Sequence, residues 1–201
     1  MKKYIGFMVV LIGLLFIGCS SEPKNEVISV VKETYKEGEK VELKSVSGAK
    51  LTLVRKNGGF VIEEDEGKVI LIDIFGTFCQ PCQEEAPSLM DFQLQNSEEL
   101  MLVGLNFLEE VSDEYVIENF AAKYNAYYFI SNSPKNKKLV ETILQDIAYK
   151  QTLQVPFKVL LKEGAYQKVT DIYQNDPNNK FYIGKVSLDV IQKDLDKLVS
   201  K

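Results

Sequence analysis

Cys79 and Cys82, three residues apart, are the side chains in this sequence best suited to covalent chemistry. Cys19 is the only other cysteine, and histidine is absent. Without an imidazole no Ser-His or Cys-His hydrolase can be assembled, nor a zinc or copper site that needs histidine. A four-ligand zinc site at the pair fails too, because two further soft ligands are lacking. Proton transfer near neutral pH then falls to perturbed carboxylates or thiols. The Cys-x-x-Cys pair is left with thiol–disulfide exchange or with an inert disulfide. A staple that closes so short a loop restricts the unfolded chain little, which favours exchange.

The elements on either side supply a reason for reactivity. Residues 69–75, Val-Ile-Leu-Ile-Asp-Ile-Phe, form a continuous β-rich apolar run, read as a strand buried on both faces. After Cys82 a helical pattern runs through Leu89, Phe92 and Leu94. The pair therefore sits where a strand ends and a helix begins. Residues three apart on a helix lie one above the other, so two sulfurs can meet there. Cys79, at the helix N-terminus, faces free N–H groups and the positive end of the helix dipole, which favour its thiolate. Pro81 suits the first turn, where a missing N–H costs little. Cys79 is the expected nucleophile and Cys82, one turn deeper, the expected resolving thiol.

The start of the chain has the form of an export signal. Lys2 and Lys3 precede an apolar run over residues 5–17, shorter than the roughly 20 residues a membrane-spanning helix needs. Phe16-Ile17-Gly18-Cys19 resembles a bacterial lipoprotein box, which implies cleavage before Cys19 and lipidation of its sulfur. Residues 20–40 are polar and rich in Lys and Glu, read as a solvated tether, with a short helix around 26–35 left open. The expected organisation is a lipoprotein signal peptide over 1–18, a lipid anchor and tether over 19–40, and one folded domain over 41–201.

The stretch Asp73-Ile74-Phe75-Gly76-Thr77-Phe78-Cys79-Gln80-Pro81-Cys82 resembles the strand and active site of the thioredoxin superfamily, in particular its TlpA/ResA-like lipoprotein branch. Phe75 and Phe78 stand where that family usually has tryptophan. The resemblance covers most of residues 41–201. It implies an α/β thioredoxin-like fold, with a central mixed β-sheet flanked by helices, an N-terminal β-hairpin extension and a central αβ insertion. Asp73 matches the buried carboxylate of thioredoxins, which takes the proton of the resolving thiol. Many tethered relatives carry Asn at that position. Glu85 matches an acidic residue of the tethered branch, implicated in tuning the cysteines, and Pro87 a proline that kinks the active-site helix. Val155-Pro156 matches a cis-proline loop that faces the disulfide. Val155, Pro156, Phe78, Gln80 and Pro81 are then the expected substrate-binding residues.

The same resemblance implies an extracytoplasmic thiol–disulfide oxidoreductase on the periplasmic side of a bacterial membrane. It would reduce disulfides of exported proteins, apocytochrome c among the candidates, and be recharged by a membrane electron donor of DsbD/CcdA type. A dithiol oxidant or isomerase, or a copper-binding module, are the alternatives. No cofactor and no metal are expected. The net charge is -5, or -7 once Lys2 and Lys3 are removed, and Arg55 is the single arginine, which argues against nucleic acid as partner.

Elsewhere, residues 41–46 and 51–55 read as a hairpin across Ser47-Gly48, with 60–62 adding to it. Residues 100–106 read as a second buried strand. Ser112 caps a helix expected to reach Tyr124, and 127–130 a further strand. A helix is expected over 134–150, a hairpin from 157–161 and 166–173, a loop over 176–179, and a last amphipathic helix over 188–199 capped by Ser187. The dense aromatics over 124–129 read as core.

Overall fold

The computed structural model describes residues 33–200. The expected signal peptide, Cys19 and most of the tether, with nearly all of the candidate helix at 26–35, lie outside the described residues.

The long apolar run becomes β4 (Val69–Phe75), the middle of a sheet. It pairs in parallel with β5 (Leu100–Asn106) and antiparallel with β7 (Phe157–Lys162). The strand order is β6-β5-β4-β7-β8, with β6 at Phe129–Ser131 and β8 at Ala165–Tyr166, while β9 (Tyr182–Ile183) also pairs with β7. Because side chains alternate along a strand, Leu71, Asp73 and Phe75 share one face of β4, and Ile70, Ile72 and Ile74 the other. The first face carries α1 (Gln80–Gln95) and α4 (Leu188–Val199), the second α3 (Lys135–Asp146). This is the mixed sheet flanked by helices that the sequence implied.

The N-terminal extension is a three-stranded antiparallel sheet of β1 (Lys40–Lys44), β2 (Lys50–Lys56) and β3 (Gly59–Ile62). Asn57 and Gly58 both have positive φ, the two-residue turn that suits strand twist. Gly59 is needed where this sheet meets the β7–β8 turn, since a Cβ there would collide with the Gly164 carbonyl. Arg55 donates to both carboxylate oxygens of Asp146 at 2.5 and 2.7 Å and lies over the Phe60 ring. The only arginine thus fastens the extension to α3. Upstream, Tyr35 already packs edge-on against Phe60.

Four elements differ from expectation. The helix capped by Ser112 is α-helical only over α2 (Asp113–Val116) and continues as a π-helical turn, Ile117–Ala121. Phe120 in that turn packs 4.5 Å from Phe75, beside the active-site strand. The following strand is later than expected, leaving Tyr127 exposed and Tyr128 buried. Most of the expected strand over 166–173 is unpaired. There Asp194 of α4 accepts from the Thr170 N–H and hydroxyl, and β9 covers the edge of β7 instead. The helix over 134–150 stops at Asp146, with Ala148 in the left-handed region.

Candidate active site

Cys79 and Cys82 are joined as a disulfide, their Cα atoms 5.3 Å apart. Cys79 is the N-cap of α1 with extended backbone, and its Sγ accepts from the Cys82 N–H at 3.3 Å. This places a donor where negative charge on sulfur would develop, as expected from a strand-to-helix junction. Cys79 retains 8% of its surface and Cys82 only 2%. Of the two, Cys79 keeps the larger share of its surface, which suits it to meet an incoming disulfide first.

The loop before Cys79 is held from two sides. Glu109, just beyond β5, accepts from the Thr77 N–H at 2.5 Å and from its hydroxyl at 2.8 Å. The Gln83 amide donates to the Thr77 carbonyl at 2.7 Å and accepts from the Tyr124 hydroxyl at 2.8 Å. Gly76 lets the Phe78 ring lie close to the backbone, since a Cβ there would be 2.8 Å from that ring. Phe78 is 62% exposed, and Gln80 and Pro81 are exposed beside it. The Val155–Pro156 peptide bond is cis, and the Val155 carbonyl oxygen lies 3.7 Å from Cys79 Sγ. The structure therefore brings Val155 and Pro156 to the disulfide, with Phe78, Gln80 and Pro81 on the adjoining surface.

On the inner side, Asp73 and Glu85 are both buried, at 1% and 5% exposure. Between them lies a residue the sequence analysis did not single out. Lys158, fully buried, forms an ion pair with Glu85 and sits 3.3 Å from Asp73 Oδ1. Strand register explains its place, since Lys158 of β7 is the direct partner of Asp73 in β4. The clue was a cation within the apolar run Phe-Lys-Val-Leu-Leu, which needs a partner if it is buried. Burial pushes the Glu85 carboxyl up to about 7, with the Lys158 ammonium pulling down and Asp73 adding to the rise. Burial likewise raises Asp73, opposed by Lys158. For Lys158 burial lowers the pKa, but the two carboxylates outweigh it and keep it above its ordinary value. Tyr128, whose ring fits against Gly104, completes the surround with a buried hydroxyl that has no hydrogen-bond partner among the described residues.

No family model matches the chain. Thioredoxin-like protein YneN of Bacillus subtilis is 28% identical over 119 residues, which is 52% of this chain and 65% of that protein. The chain thus matches slightly less than two thirds of that relative's length. Among solved structures, a thiol:disulfide interchange protein of the thioredoxin family from Chlorobium tepidum superposes with a TM-score of 0.55 at 14% identity, covering 83% of this chain and 98% of that one. StoA from Bacillus subtilis gives 0.51 at 16% identity, over 78% and 96%. At such identities the likeness establishes the fold.

Proposed function

We propose that this chain, thioredoxin-like in fold, is an extracytoplasmic thiol–disulfide oxidoreductase that works through Cys79 and Cys82 and reduces disulfides of exported proteins. The observation that carries the reading is the position of Cys79. It caps a helix, its sulfur accepts an N–H, and it faces the Val155–Pro156 loop. An extended substrate can lie along that loop by strand addition, with Phe78, Gln80 and Pro81 as the neighbouring contact surface. The Cys79 thiolate attacks one sulfur of the substrate disulfide, the S–S bond breaks, and the other sulfur leaves as a thiolate that takes a proton from water. Cys82 then attacks Cys79 Sγ, with Asp73 or Glu85 taking its proton. The second substrate sulfur departs, and the protein is left oxidised.

Charge around the site supports the reductive direction. A site that stabilises thiolate favours the reduced protein and makes it an oxidant. Here carboxylates predominate, with Glu109 bonded to Thr77 and Glu84 exposed in the second turn of α1, while Lys185 is paired to Glu84. Recharging would come from a membrane dithiol donor of DsbD/CcdA type, and apocytochrome c is one candidate client. Among the described residues no helix is long and apolar enough to cross a membrane. Attachment in this reading rests on lipidated Cys19.

With a small dithiol as electron source, the full chain should accelerate the reduction and precipitation of insulin well beyond the dithiol alone. No acceleration would overturn the proposed activity. The anchor is tested separately by metabolic fatty-acid labelling, expected in the natural chain and lost in Cys19→Ser. Labelling that persists in the variant would remove the lipid assignment.

A further inference from the structure

Three ionisable side chains from three elements meet on the α1 face of the sheet: Asp73 from β4, Glu85 from α1 and Lys158 from β7. None has appreciable access to solvent. One cation faces two carboxyls, so if both were ionised the buried set would carry an uncompensated negative charge. Isolated charge is strongly disfavoured in such surroundings, and one carboxyl takes up a proton instead. The other groups facing the set do not change that count. Tyr128 contributes an uncharged hydroxyl, Cys82 of α1 is buried one helical turn from Glu85, and Lys185 acts on Glu85 only from the exposed rim.

We propose that Lys158 is a positioning residue whose ammonium keeps one of the two buried carboxyls ionised beneath the disulfide, so that Cys82 has a base near neutral pH. An ammonium carries donors and no acceptor, and Lys158 does not itself receive the thiol proton. Its effect is on the carboxyl pair. An opposite charge at this range lowers a carboxyl pKa by about 1–3 pH units. Without it, burial and mutual repulsion would leave both carboxyls protonated. The inference rests on the oxidoreductase reading and concerns its second step. In that step the Cys82 S–H bond breaks, its proton passes to the carboxylate, and the freed sulfur pair forms a bond to Cys79 Sγ. The bond between Cys79 and the substrate sulfur breaks, its electron pair leaves with that sulfur, and the two protein thiols are oxidised as the substrate disulfide is reduced.

The strand that presents Lys158 is the one that follows Pro156. One element therefore carries both the loop facing the disulfide and the charge behind it. A purely structural ion pair would affect stability and leave the pH dependence of resolution unmoved.

The reduced full chain is mixed with 5,5′-dithiobis(2-nitrobenzoate) across pH 5–9. A first release of coloured thiolate reports attack by Cys79, and a second reports resolution by Cys82. In Lys158→Met the midpoint of the second phase should rise by one pH unit or more, with its rate at pH 7 falling about tenfold or more. Lys158→Arg, which keeps the charge, should recover most of that loss. Coincident pH profiles in Lys158→Met and the natural chain would overturn the role of Lys158 and leave the oxidoreductase reading intact. A natural chain that shows no second phase at all would overturn both. If Lys158→Met does not fold, carboxyl carbon NMR of the natural chain decides. One buried carboxyl titrating near neutrality while the other stays ionised supports the proposal. Both protonated through pH 8, or both ionised from pH 5, overturns it.

Discussion

Replacing Cys79 with serine is expected to reduce insulin-disulfide reduction to the rate of the reductant alone, while the chain remains folded. The thiolate is the nucleophile in exchange, and a hydroxyl at the same N-cap cannot form the first mixed disulfide. The fold should survive because the lost link closes a loop of only four residues. By the chain-entropy relation such a loop contributes roughly 2 kcal/mol, and serine is itself a favourable N-cap. Cys82→Ser should behave differently. Its Cys79 can still attack, but resolution stops, so a covalent adduct of chain and substrate accumulates and is visible on a non-reducing gel. The asymmetry follows from exposure, since Cys79 keeps an accessible edge and Cys82 is enclosed. Activity retained in Cys79→Ser, or adducts that form equally through Cys82, would remove the assignment of roles.

The residues nearest the chemistry were legible because their signals are local. The apolar run into Cys79 carries its own strand periodicity, and a capped, proline-started helix follows directly. Ser187 likewise marked the start of α4. Lys158 was not legible in the same way. Its partners lie 85 and 73 residues earlier, and only the β4–β7 register brings the three groups together. Glu109 reads in sequence as one of several loop acids, and its hold on Thr77 exists only once β5 lies beside β4. The π-helical turn carries Phe120 against Phe75, a tertiary contact that the helix pattern of residues 112–124 does not encode. The pairing of β9 was missed because two residues are too few to show alternation.

The oxidised chain should lose stability as pH rises from about 5 to 8, and Glu85→Gln should remove most of that loss. In the folded chain burial raises the Glu85 carboxyl from its ordinary 4.5 to about 7. Between those values the native state holds a proton that the unfolded chain has released. Where the native state binds more protons, stability falls with pH. The contribution is therefore present in full below about 4.5 and is lost as pH passes through about 7. At ~1.4 kcal/mol per pH unit, the span is worth up to about 3 kcal/mol. Sharing of the proton with Asp73 across Lys158 lowers what Glu85 alone supplies. Guanidinium unfolding at pH 5, 6, 7 and 8 measures the slope, and groups elsewhere cancel in the comparison with Glu85→Gln. Equal slopes in the two proteins would show that Glu85 ionises normally and is not poised to exchange a proton. If the slopes differ as expected, the same buried charge balance that weakens the fold at neutral pH is what readies the site for Cys82. The stability loss and the proton chemistry are then two measurements of one equilibrium.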